Sequence, residues 1–333
     1  MTTASELPAL SRDALQFGID LGGTKTEIIV LNNRGQTLYR HRVPTPAQSY
    51  VEILNTIEAL VIEAQTKTGL ATALGVGAPG APIPRSGRMK NANTTCLIGQ
   101  RLEGDLSQRL GMAVLVENDA NCLALSEAVD GAGAGARTVF AAILGTGVGG
   151  GISIGSQVIR GRHHIGGEWG HNPMPFRHPD AQPQSAPRRC YCARWDCIET
   201  YLSGPGLART YGEMTHPHAP DSAQRAIHSA NDIAVLAKAG DQDALKAIKR
   251  YADQLAIALA SVINVLDPDT VVLGGGVSNI DVLYPLLSER LGQHVFTDEL
   301  TTPVKRALHG DSSGVRGAAW LASQAKRTGL WAD

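Results

Sequence analysis

Three of the five cysteines in the 333-residue chain, Cys190, Cys192 and Cys197, fall within eight positions in the segment CYCARWDCIE. Thiols so closely spaced serve either a disulfide framework or a metal ion. The chain opens MTTASELPALSRDALQ, with no basic stretch leading into an apolar run, so no export signal is expected there. A cytoplasmic location keeps thiols reduced, which favours metal over disulfide. His171, in GGEWGH, completes a Cys3His set suited to zinc, and four ligands with no open position mark a structural site. His163, His164 and His178 are alternative fourth ligands. Three buried, reduced cysteines are the plainer reading of the same pattern.

Two further kinds of residue can do chemistry. Glycine-rich turns follow apolar strands at DLGGTK, LGTGVGG and LGGGVSN. Without a Cβ, their backbone N–H groups can approach phosphate oxygens. None of the three fits a P-loop or a dinucleotide-binding fingerprint. Carboxylates stand at the ends of strands. Asp20 meets the first glycine turn, where a Mg2+ ion would reconcile it with a phosphate; a turn-capping aspartate is the alternative. Asn118 and Asp119 lie where a strand passes into a helix, the end of an α/β sheet at which ligands bind. A helix N-cap is the alternative for Asp119.

Alternating elements must position these groups. LQFGID, TEIIVLN and QTLYRHRV read as strands, and apolar residues recur at helical spacing from Tyr50 to Thr66. TALGVGAPG and AVLVE are buried strands, and DANCLALSEAV is a helix. The pattern then restarts: FGIDLGGTKTEIIVL from Phe17 can be laid beside FAAILGTGVGGGISI from Phe140, which predicts an internal duplication. A Pro-rich insert (Asn172 to Arg189), the cysteine cluster, a long helix from Asp241 to Leu266, the strand TVVLGGG and a closing helix near Gly314 to Ala325 complete the second half. The expected divisions are a mobile leader over 1–14, an α/β domain over 15–130, a second over 131–313, and a final helix over 314–333 packing back on the first. GAGAGAR, Gly131–Arg137, is the expected joint. At 43% hydrophobic and 18% charged residues and a net charge of −1, the chain carries no electrostatic case for nucleic acid or an anionic membrane.

Taken in order, D-x-G-G-T-K, N-D-A-N, G-T-G-x-G-G, G-E-x-G-H, C-x-C-x4-C-x-E and L-G-G-G resemble the ROK family of sugar kinases from about Phe17 to the end. YRHRVPTP, NCLALSEAVDGA and HGDSSGVRGAAW look most like its bacterial fructokinases of the manno(fructo)kinase type. The resemblance implies a duplicated actin-like, ribonuclease-H-like α/β fold of two domains with a cleft between them. It implies that Asp20, Gly22, Gly23, Thr24, Lys25, Gly145, Thr146 and Gly147 serve the ATP phosphates and Mg2+, and that Gly274, Gly275 and Gly276 border the adenosine. It makes Asp119 the general base and gives Gly80, Asn93, Asn118, Glu168, His171 and Glu199 to the sugar hydroxyls, with zinc on His171, Cys190, Cys192 and Cys197. The expected reaction is ATP-dependent phosphorylation of fructose, with N-acetylglucosamine, glucose and mannose as alternatives, by a homodimer. A sugar-responsive repressor is the reading from another class; it needs a DNA-binding module that the 16 or so residues ahead of the first strand do not supply. The family pattern C-x-C-G-x-x-G-C has Ala193 and Asp196 here in place of both glycines, and Cys96 stands where relatives often carry Trp.

Overall fold

A computed structural model describes residues 15–175, 187–216 and 228–324. The expected leader, His178 and the middle of the Pro-rich insert lie outside these. Two compact units emerge, one from the chain up to Cys122 together with the chain from Gly314 onward, the other from Leu123–Ser313. The division falls inside a helix, ahead of Gly131–Arg137.

In the first unit, β1 (Gln16–Leu21), β2 (Lys25–Leu31), β3 (Thr37–Pro44), β4 (Ala73–Ala78) and β7 (Ala113–Asn118) form a sheet in the order β3-β2-β1-β4-β7. The first three pair antiparallel; β4 and β7 run parallel to β1. Strand β1 is central and buried along almost its whole length, with Phe17, Ile19 and Leu21 in the core and Asp20 its one partly exposed residue. At the edge, β3 alternates exposed and partly buried residues, and its Arg40 and Arg42 both pair with Glu27 of β2. Charged edges discourage pairing with another chain. A short ribbon of β5 (Ala81–Pro82) and β6 (Met89–Lys90) follows β4.

Helix α1 (Tyr50–Thr68) starts because the Ser49 side chain accepts from the Glu52 N–H and stops at Gly69. Its buried Ile53, Leu54, Ile57, Leu60, Val61 and Ala64 recur every three or four residues and face the sheet. Full burial of each large member stabilises by about 1.5–3 kcal/mol. Helix α2 (Leu102–Leu110) precedes β7, and α3 (Asp119–Val129) begins directly after it. The closing helix, Ser313–Gln324, belongs to this unit from Gly314 on. It lies so close to the sheet that a methyl group on Gly18 of β1 or Gly75 of β4 would collide with its backbone at Ala319 and Ala318.

The second unit repeats the plan. β8 (Thr138–Leu144), β9 (Val148–Ile154), β10 (Gln157–Val158), β11 (Thr270–Gly274) and β12 (Val304–Arg306) form a sheet in the order β10-β9-β8-β11-β12. The ladder directions match those of the first sheet strand for strand, as the duplication predicts. Helices α4 (Glu199–Leu202), α5 (Gly204–Thr215), α6 (Ala230–Lys238), α7 (Gln242–Leu266) and α8 (Leu283–Arg290) cover it. The predicted long helix is α7, capped by the Asp241 carboxylate on the Ala244 N–H. Its buried alanines, among them Ala247, Ala252, Ala256 and Ala260, let neighbouring helices approach, while Tyr251, Leu255, Leu259 and Ile263 fill the core. Glu127 of α3, fully buried, accepts hydrogen bonds from Ala132 N, Leu308 N and Ser313 Oγ and ties three segments of this unit together. No helix among the described residues is long and apolar enough to cross a membrane.

Candidate active site and metal centre

The ligand atoms of His171, Cys190, Cys192 and Cys197 all lie within 4.8 Å of one another. His171 Nδ1 is 3.6 Å from Cys190 Sγ, and the sulfurs of Cys192 and Cys197 are 3.6 Å apart. Ligands about 2.0–2.3 Å from a tetrahedral zinc stand about 3.3–3.8 Å from each other. The set therefore fits zinc, and the sulfurs are too far apart for a disulfide. Burial pushes the Cys190 thiol up and the Cys197 thiol up to about 12. Of the alternative histidines, neither His163 nor His164 joins the cluster.

The loop reaches this geometry despite its missing glycines. Ala193 and Asp196 take φ of 69° and 53°, the left-handed region that glycine favours. Asp196 offsets that cost through its carboxylate, whose Oδ1 accepts from Arg188 N at 2.8 Å and Tyr201 Oη at 2.5 Å. Arg188, 2% exposed, lies over the Tyr201 ring and donates to the Thr200 carbonyl, Thr210 Oγ1 and Glu213. This buried cluster seats the loop against α4 and α5. Sequence reasoning saw only the two departures; the through-space partner of Asp196 had no signal.

Glu199 opens α4, two residues past the last cysteine. One carboxylate oxygen accepts from Val148 N at 2.9 Å, and the other is 3.8 Å from Cys190 Sγ. Glu199 thus joins the metal loop to the Gly145–Gly147 turn. That turn is closed by Gly145 N donating to the Gly147 carbonyl, while Gly204 N donates to the Gly145 carbonyl. Gly275, at φ 83°, sits against the backbone of Leu144, so LGGG and LGTG meet within this unit. Glu168 precedes the short helical turn Trp169–His171. The other ring nitrogen of His171, Nε2, lies 2.9 Å from the Tyr191 hydroxyl. Partial desolvation, with the carboxylates of Glu199 and Glu168 nearby, pushes the Tyr191 phenol up to about 12.

In the first unit, Gly22, Gly23, Thr24 and Lys25 join β1 to β2, with Gly22 N donating to the Lys25 carbonyl and Thr45 Oγ1 to the Gly22 carbonyl. Asp20 sits just before this turn. Burial, then the charges of Asp119 and Glu27, raise its pKa to about 7, against the pull of Arg42. Crowded, desolvated carboxylates of this kind favour a cation, so the donor set fits Mg2+. Asp119 is the first residue of α3, where the helix dipole favours a negative charge. Its Oδ1 and that of Asn118 both accept from Ala120 N, and Asn118 Nδ2 donates to the Gly80 carbonyl at 3.4 Å. Gly80 has φ 78° and lies against the Lys90 carbonyl and Asn91, which brings β7 and the exposed Asn93 segment to one end of the sheet. Thr94, which sequence reasoning passed over, is buried, and its hydroxyl has no protein partner. A Cβ on Gly23 would stand 3.6 Å from that hydroxyl.

Comparison with known proteins fits this geometry. The ROK family model matches residues 16–325. An N-acetyl-D-glucosamine kinase of Yersinia pseudotuberculosis is 38% identical over 308 residues, 92% of this chain and 98% of its own. One from Escherichia coli O157:H7 is 39% identical over 92% of this chain and 99% of its own. The crystal structure of a ROK glucokinase from Streptomyces griseus, in complex with glucose and AMPPNP, superposes with a TM-score of 0.74 at 30% identity, covering 93% of this chain and all of that one. With the motif turns, the duplicated sheets and the Cys3His cluster all in place, the chain belongs to the ROK family and stands among its sugar kinases.

Proposed function

We propose that the protein phosphorylates N-acetylglucosamine with Mg·ATP, with glucose as a second acceptor. The observation that carries this reading is the 38–39% identity to N-acetylglucosamine kinases over 98–99% of their length. It displaces the fructose expectation, which rests on Tyr39–Pro46, Asn121–Ala132 and His309–Trp320. Those stretches lie mainly on β3, α3 and the closing helix. They report packing, and they contain none of Gly80, Asn93, Glu168, His171 or Glu199.

In this reading Asp119 accepts the proton of the sugar's primary hydroxyl as that oxygen attacks the γ-phosphorus and the bond to ADP breaks. A sugar hydroxyl is a poor nucleophile near neutral pH, and a placed carboxylate contributes about 10²–10⁴ in rate. Asn118 helps fix the segment that carries Asp119, and Gly80, Asn93 and His171, through Nε2, offer contacts to ring hydroxyls. The Gly22–Lys25 and Gly145–Gly147 turns present backbone N–H groups to the phosphates. Asp20 would hold Mg2+, which when bound neutralises phosphate charge. His171, Cys190, Cys192 and Cys197 would hold zinc, which fixes Glu168 and Glu199 for the sugar.

A coupled ADP-release assay over N-acetylglucosamine, glucose, mannose and fructose tests this. The highest kcat/KM is expected with N-acetylglucosamine. Fructose in first place would restore the displaced reading, and no ADP release with any hexose would sink the kinase.

A further inference from the structure

Tyr191 lies between two metal-ligand cysteines in sequence and is 72% exposed. Its hydroxyl is 2.9 Å from His171 Nε2, and its ring meets the imidazole edge-on, with centroids 5.1 Å apart and planes at 81°. The imidazole's Nδ1 faces Cys190 Sγ inside the four-ligand cluster. A nitrogen that binds a metal must offer its lone pair, so the ring proton sits on Nε2 and is donated to the tyrosine oxygen. Such a partner fixes both the tautomer and the orientation of a ligating histidine. If His171 also contacts the sugar, as the kinase reading on which this inference rests has it, Nε2 is the atom that must do so. A single N–H cannot serve two acceptors at full strength.

We propose that Tyr191 is a displaceable cap on His171. In the sugar-free protein its hydroxyl accepts the Nε2 proton and holds the imidazole for the metal; on binding, a sugar hydroxyl takes its place. The exposure of the phenol makes the exchange feasible. A ring left mostly in water gains little from burial, so one hydrogen bond and one ring-edge contact retain it. Losing the hydrogen bond shifts an equilibrium by only about tenfold or less. The phenol therefore acts as an internal competitor that tunes sugar affinity and guards the zinc ligand while the sugar is away.

Tyr191→Phe keeps the ring and removes the acceptor, and a thermal melt checks that the full-length variant remains folded. Zinc release to a chromogenic chelator is followed with and without N-acetylglucosamine, and sugar affinity is measured by calorimetry without ATP. Without sugar, the variant is expected to release zinc about tenfold faster than the parent, and sugar is expected to restore most of the difference. Sugar should bind the variant roughly fivefold more tightly, the worth of one net hydrogen bond, with kcat within about twofold. Weaker sugar binding by the variant would make Tyr191 a direct sugar ligand and overturn the cap. Unchanged zinc release and unchanged affinity would overturn it as a spectator. Should no hexose bind or react while the variant still sheds zinc faster, the failure lies with the sugar reading, and the exchange falls with it.

Discussion

In the β1–β2 hairpin the last ladder pair, Leu21 with Thr26, leaves four residues (22–25) in the turn, and the pair behind it is Asp20 with Glu27. In the β8–β9 hairpin the last pair, Leu144 with Val148, leaves three (145–147), and the pair behind it is Ile143 with Gly149. The frame is the same: antiparallel strands, a glycine turn, and a parallel neighbour on the far side. The charge is not. The first hairpin carries its own carboxylate, whose burial, and then the nearby charges of Asp119 and Glu27, bring its pKa to about 7. The second has none and borrows Glu199, which arrives from the metal loop to meet Val148 N. A duplicated backbone preserves ladder and turn, because those are local. Charge is set position by position, and a carboxylate can be supplied by register or by tertiary contact.

The largest expected effect comes from Asp119, on the charged side of this comparison. Asp119→Asn keeps the side chain's size and a carbonyl oxygen for Ala120 N but cannot take a proton. We expect kcat to fall by about 10²-fold or more, with the melting temperature little changed. A variant that loses stability and keeps its turnover would make Asp119 a helix cap and nothing else.

On the borrowed side, Cys192→Ser or chelation should remove about one zinc per chain and raise the sugar KM by roughly tenfold or more, since a disturbed ligand typically costs 10–100-fold. The ATP KM should change less, because the Gly22–Lys25 turn belongs to the other unit and only the Gly145–Gly147 turn is tied to the metal loop through Glu199. Metal analysis alongside sugar and ATP titrations checks this. Equal losses for both substrates would mean that the metal supports the whole unit rather than Glu168 and Glu199.

A methyl group distinguishes the two turns more finely. On Gly147 its carbon would stand 2.6 Å from Glu199 Oε2, whereas on Gly23 it meets only Thr94 Oγ1 at 3.6 Å. Gly147→Ala should push the carboxylate off Val148 N and raise the sugar KM several-fold, about one charged hydrogen bond's worth, beyond any effect on the phosphates the same turn serves. Gly23→Ala should leave the sugar KM alone and act on ATP. Matching effects on both substrates would erase the distinction between the hairpins.

The smallest effect is on stability. Because the folded protein raises Asp20 above the ordinary aspartate value of about 3.9, folding takes up a proton between the two values. The associated stability is full below about pH 4 and is lost as pH rises to about 7. Asp20→Asn escapes that loss. Without metal at pH 8 it should melt about 2–4 °C higher than the parent, with the gap closing toward pH 4 and shrinking when Mg2+ is added to the parent. A gap that does not vary with pH would take Asp20 out of the account.

Much of this was legible in the sequence. The glycine turns fall at strand ends, α7 spans its predicted length, and His171 with the three cysteines meets in space as soft ligands at close spacing suggest. Those features are local or belong to a repeated pattern. What the sequence concealed is contact between distant positions: Tyr191 on His171, Asp196 with Tyr201 and Arg188, Glu199 on Val148 N, Thr94 beside Gly23. Each is an ordinary polar residue whose partner is chosen by the fold. The choice of sugar was hidden for a related reason. The stretches that suggested fructose carry packing, and packing does not report which hydroxyls a pocket accepts.

The closeness of the last helix to Gly18 and Gly75 has a consequence for synthesis. The strands that bear those glycines leave the ribosome early, yet the backbone that covers them comes from residues 318 and 319. The second unit, continuous in the chain, has all its residues once Ser313 emerges; the first stays uncovered along β1 and β4 until Ala318 and Ala319 follow. The usual N-to-C order of domain maturation is therefore inverted. Nascent chains stalled before Val315 should hold a protease-resistant second half behind a first half that is still cut.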